Sequence, residues 1–127
     1  MKLTKINAPD APVPAGGYVQ AMEVANASRL LFISGQVPDA VDGTTPEDFE
    51  SQARMIWANL IAQLHAADMS LDNLVKLTFF LSDRKYIDDY RKVRQEVLQG
   101  RTVALTTIIT GIFDEKWLME IEAIAAA

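Results

Sequence analysis

The chain has 127 residues, half of them apolar, which is enough to bury one core without help from a metal or a disulfide. It contains no cysteine, and this excludes a disulfide framework, a thiolate zinc site, an iron–sulfur cluster and a cysteine nucleophile. The formal net charge of −5 repels polyphosphate, so no nucleic-acid partner is expected. Neither a signal-peptide core nor an apolar run of about 18 residues is present, which predicts a cytoplasmic protein with no membrane partner. One domain over 1–127 is expected, with no metal and no cofactor.

In chain order, residues 8–17, Ala-Pro-Asp-Ala-Pro-Val-Pro-Ala-Gly-Gly, read as a loop, because proline has no N–H to donate to a sheet and glycine is entropically costly there. Tyr18 to Val24 alternates as a strand, and Leu30-Leu31-Phe32-Ile33 is a second apolar run closed by Ser34-Gly35-Gln36. Asn26-Ala27-Ser28 suits a hairpin turn between them. In Thr45-Pro46-Glu47-Asp48 a hydroxyl at the cap, a proline at the first helical position and acids at the positive end of the dipole predict a helix start. Phe49, Ala53, Ile56, Trp57, Leu60, Ile61 and Leu64 then form an apolar stripe over about 20 residues.

Val75, Leu77, Phe79 and Leu81 alternate with Lys76, Thr78 and Phe80, a strand whose second face is only partly polar. Asp83 or Ser82 caps a second helix with Tyr86, Ile87, Tyr90, Val93, Val97 and Leu98 inward, ending at Gly100. Asp88 and Lys92 on it are a helix-spaced pair. Thr102 to Thr110 and Trp117 to Ala125 read as the last strands. The order β-β-β-α-β-α-β-β gives an α+β class. Its helices can cover only one face of the sheet, and the other apolar face then needs a partner subunit.

Four segments carry a resemblance. Gly17-Tyr18-Val19-Gln20, Ile33-Ser34-Gly35-Gln36-Val37-Pro38, Gln52-Ala53-Arg54 and Glu120-Ile121-Glu122-Ala123-Ile124-Ala125 resemble, in order and spacing, the RidA (YjgF) family over nearly the whole chain. The resemblance implies a chorismate mutase-like homotrimer. Each protomer has a single six-stranded mixed β-sheet with two α-helices on one face, and clefts between subunits bind a small carboxylate-bearing metabolite. It also implies hydrolysis of a reactive 2-imino acid to a 2-keto acid and ammonia. By the same resemblance the family's tyrosine maps to Tyr18, its serine to Ser34 and its water-holding, catalytic glutamate to Glu120. The arginine that deaminating members carry fifteen positions before that glutamate maps to Leu105, which cannot donate a hydrogen bond. Arg91, where the family's helix asparagine maps, and Arg101, at the start of a segment similar to Arg-Pro-Ala-Ser-Thr, are the candidate replacement cations.

Plainer readings stand beside these. Glu120 and Glu122 share a strand face, either as an acid–base pair or as one solvated and one buried carboxylate. Ser34 has no neighbouring base in any motif, so it reads as a hydrogen-bonding group and not as a nucleophile. Tyr86 and Tyr90 form an aromatic wall or simply helix core, Leu105 is core or cleft lining, and His65 reads as a surface residue at a helix C-terminus. Three functions follow: a hydrolase of the imine or enamine type, a non-catalytic trimeric binding or regulatory module, and an endoribonuclease. The acidic balance and single histidine disfavour the last.

Overall fold

The computed structural model describes residues 1–127. Six strands and two helices form in the expected order: β1 (Lys2–Ile6), β2 (Ala21–Ala25), β3 (Leu30–Gln36), α1 (Phe49–Ala66), β4 (Leu74–Leu81), α2 (Ile87–Leu98), β5 (Ala104–Ile109) and β6 (Met119–Ala126). β3, β6, β4 and β5 form a mixed sheet in that order, with β4–β5 parallel and both pairings of β6 antiparallel. β3 and β4 therefore run the same way, and each is followed by a crossover helix. The two crossovers step in the same direction across the sheet, so with the usual common hand both helices land on one face.

The remaining two strands form an antiparallel ribbon, Lys2 opposite Ala25 through Ile6 opposite Ala21. A single parallel bridge, Val19 to Ala104, fastens the ribbon to the edge strand β5. The six strands are thus a ribbon of two beside a sheet of four. Asn26-Ala27-Ser28 does not close a hairpin, because β2 pairs with β1 while β3 pairs with β6. Asn26 adopts a left-handed φ of 59°, and the N–H groups of Ser28 and Arg29 donate to the Ala127 carbonyl at 2.9 and 3.0 Å, which draws the chain into the larger sheet.

α1 begins three residues later than the proline signal predicts. Its cap is Asp48, whose carboxylate accepts from the Ser51 N–H at 2.9 Å, whereas the Thr45 hydroxyl donates to Asp39 at 2.6 Å. Phe49, Ala53, Ile56, Trp57, Leu60 and Leu64 are buried as the stripe predicts, but so is Gln52. The Gln52 amide donates to the carbonyls of Pro46 (2.8 Å) and Lys116 (2.9 Å) and accepts from the Leu118 N–H (2.8 Å), tying the approach to α1 to the entrance of β6. Asp83 caps a short 3-10 turn, Arg84–Tyr86, that leads into α2. Lys92 turns to Glu50 of α1 at 2.9 Å instead of to Asp88, and Arg54 bridges Glu50 and Glu96. An exposed carboxylate across the helix pair satisfies lysine as well as one on its own helix.

The core lies between helices and sheet. Leu77, Phe79 and Leu81 of β4 and Met119, Ile121 and Ala123 of β6 are buried under Trp57, Leu60, Tyr90 and Val93. Tilted aromatic pairs link Trp57 to Phe79 (5.9 Å) and Phe79 to Tyr90 (4.8 Å), and Tyr86 stacks on Phe49 at 4.5 Å. The alternate positions Lys76, Thr78 and Phe80, with Glu120, Glu122 and Ile124 in register beside them, face away from the helices. The helices leave this side uncovered, and on it Leu30 and Phe32 stand 58 % and 70 % exposed.

Candidate functional site

The candidate residues fall into two groups on different surfaces of the protomer. The first is a cleft of about 780 Å³ between α2, the edge strand β5 and the glycine loop before β2. Gly16 and Gly17, at φ values of 127° and 77°, let that loop turn back so that Tyr18 enters the cleft, with the Tyr18 hydroxyl held by the Ala15 N–H at 3.3 Å. Leu105 contributes from β5 and the exposed Arg91 from α2. Register pairs Leu105 with the buried Leu77, so it points to the helix side of the sheet.

The second group sits on the open side. A bulge between Ile33 and Gln36 interrupts the pairing of β3 with β6 at Ser34-Gly35. It brings the Gly35 backbone under Glu120, close enough that a Cβ at position 35 would overlap the carboxylate. Ser34 lines a smaller depression of about 280 Å³ with Phe32, Lys76, Thr78 and Glu122. Glu120 is partly buried and pairs in register with Phe80, on the face opposite Leu105. Burial, and then the negative charge of Glu122 on the same face, push its carboxyl above the usual carboxylate range. The expected sharing of a face by Glu120 and Glu122 is thus present, but one protomer does not bring Glu120 to Leu105.

Arg101 belongs to neither group. Its Nε donates to Asp72 at 2.6 Å and its Nη1 to the Leu98 carbonyl at 3.2 Å, so its charge is already matched. Tyr90 packs in the core as expected for helix packing, yet its hydroxyl reaches Thr107 on β5 at 2.7 Å and it also borders the cleft. Several cleft residues escape the sequence reading, Thr107 and Arg94 among them. For Arg94 a signal exists: it falls four residues after Tyr90, inside the apolar stripe of α2, where an arginine has no packing reason to be.

The fold and these surfaces define an α+β protein whose helices cover one side of a mixed sheet and whose polar candidates divide between an edge cleft and the bare side. The family model described as Endoribonuclease L-PSP matches residues 8–127. A RutC family protein from Aquifex aeolicus is 31 % identical over 94 % of each chain, and the RutC family protein PH0854 from Pyrococcus horikoshii is 34 % identical over 91 % of each. Among solved structures, RidA from an Antarctic Psychrobacter superimposes with a TM-score of 0.74 at 27 % identity, covering 98 % of this chain and 99 % of that one. The Rid-family protein YyfB from Yersinia pestis reaches a TM-score of 0.86 over all of both chains, and at 24 % identity it speaks for the fold alone. The chain belongs to the Endoribonuclease L-PSP family, of which the RidA (YjgF) proteins are members.

Proposed function

We propose that the protein is a cytoplasmic, single-domain homotrimer that binds a small carboxylate- or carbonyl-bearing metabolite in clefts between its protomers. The reading is carried by the division of the candidate residues: Tyr18 and Leu105 on the helix side of one protomer, Ser34 and Glu120 on the bare side. A neighbour seated on the bare side joins one protomer's Ser34 and Glu120 to the next one's Tyr18 and Leu105, and it covers Leu30 and Phe32 at the same time. The chemistry such a site serves is hydrolysis of an imine or enamine. Glu120, made more basic by its surroundings, takes a proton from water as the water oxygen bonds to the imine carbon. The C=N electron pair moves to nitrogen, which takes the proton back from Glu120; the adduct's hydroxyl proton then passes to nitrogen through the same carboxyl as the C–N bond breaks, which releases ammonia and leaves the carbonyl product.

Leu105 at the position of the family's carboxylate-gripping arginine sets this protein apart from the usual 2-imino acid deaminases. A lost bidentate pair is worth roughly a hundredfold in catalytic efficiency. Freshly generated 2-imino acids should therefore be turned over poorly, and Leu105→Arg should raise kcat/KM by about that factor. A variant with no gain, beside a working deaminase in the same assay, defeats the imino-acid reading. The same leucine favours a second reading, a non-catalytic binding or regulatory module. Thermal-shift responses to keto acids without any turnover would select it. Ribonuclease activity is the least supported, and the absence of salt-dependent RNA binding would remove it.

A further inference from the structure

Arg94 on α2 is 6 % exposed, and no carboxylate of the chain pairs with it. A buried guanidinium without a counter-charge is costly, and such groups are ordinarily paired. Of its five N–H donors one bond is accounted for, from Nη1 to the Tyr90 hydroxyl at 2.7 Å. The other nitrogens are not sealed off, since Trp57 Nε1 is the one enclosed side-chain polar atom without a partner. Arg94 lines the edge cleft together with Arg91, and also a smaller hollow beside Gly17 and Arg101. In a protein with net charge −5, the residues lining that cleft include two arginines and no aspartate or glutamate.

The surroundings hold this guanidinium in place. Its carbon lies 5.1 Å from the centre of the Tyr90 ring, and the loop leaves room for it at Gly17, where a Cβ would stand 2.9 Å from Nη2. The Tyr90 hydroxyl, which accepts from Arg94, also shares a hydrogen bond of 2.7 Å with Thr107 Oγ1 in which either oxygen can donate. When Tyr90 donates, the Thr107 proton is left to donate into the cleft. Thr107 is two positions from Leu105 on β5 and shares its face, so the fixed Arg94 guanidinium and a hydroxyl able to donate converge where apolar Leu105, Ile87 and Ile109 also line the walls.

We infer that Arg94, with the Thr107 hydroxyl, is the anion receptor of the edge cleft, and that its ligand is a small monocarboxylate with an apolar or aromatic body. The inference rests on the reading of this cleft as the ligand site, and it moves the carboxylate grip from β5, where Leu105 stands, to α2.

The test is calorimetric titration of the intact oligomer with phenylacetate and with its neutral counterpart phenylacetamide, for wild type, Arg94→Gln and Arg91→Gln. Wild type should prefer the carboxylate by about tenfold or more, the amount one charge-assisted hydrogen bond provides. Arg94→Gln should erase that preference while leaving amide affinity nearly unchanged, and Arg91→Gln should weaken it only a few-fold. Arg94→Lys, which keeps the charge and is checked for folding by its melting curve, should retain part of the preference. In the wild-type protein the arginine Nε–H resonance of Arg94 should move on adding phenylacetate and stay put on adding the amide. A preference kept in full by Arg94→Gln, or lost equally in Arg91→Gln, overturns the assignment while the cleft reading survives. Wild type binding neither compound overturns both.

Discussion

Glu120 shows how much of a residue's behaviour is set by neighbours that no motif names. Gly35 under it and Glu122 beside it favour its protonated form in the folded chain. The folded state then binds more protons than the unfolded chain between the ordinary carboxylate range and the raised value, so Glu120 makes stability fall as pH rises through that window. Glu120→Gln removes the effect. Its melting temperature relative to wild type should climb as pH rises above the ordinary carboxylate range, and a difference that stays flat would refute the assignment. Leu105 and Arg94 tell the complementary story. The leucine is conspicuous only against a family pattern, whereas the arginine, which interrupts the apolar stripe of α2, gains its meaning once its burial and missing partner are known.

At the scale of elements, the apolar stripe of α1 and the alternation of β4 locate both within a residue or two, since burying one face is what selects those patterns. The start of α1 is less legible. Pro46 and Thr45 suit a cap by type, but Asp39 captures the Thr45 hydroxyl and Asp48 supplies the cap instead. Gln52 is the clearest element-scale prediction. Within Gln52-Ala53-Arg54 it reads as a family marker, and its three buried hydrogen bonds make it a clasp between α1, the loop before it and β6. Gln52→Leu leaves two carbonyls and one N–H without partners and should cost on the order of 3 kcal/mol, or roughly 10 °C in Tm. A loss under about 1 kcal/mol by denaturant titration would show that water replaces the clasp.

For the whole molecule, the bare side of the sheet governs. Leu30, Phe32, Phe80, Ile108 and Ile124 stand there among Glu120, Glu122 and Lys76, and Phe32 is 70 % exposed. Sedimentation should give three times the chain mass for the wild type. Phe32→Asp, which would place an unpaired charge in the proposed contact between protomers, should shift the mass toward the monomer at micromolar concentration. A wild-type protein that sediments as a monomer would remove the shared cleft and the catalytic reading of Glu120 with it.

The sequence by itself determined the α+β class, the order of the elements, the two faces of the sheet and the presence of Tyr18, Ser34, Leu105 and Glu120, because local periodicity, caps and short motifs are properties of neighbouring residues. Tertiary structure alone decided that β2 pairs with β1 and not with β3, that Leu105 and Glu120 face opposite ways, that Arg101 is spent on Asp72, and that Arg94 is a buried cation without a partner. These depend on which distant strands and helices come together, and strand pairing and burial are settled by contacts between residues far apart in the chain.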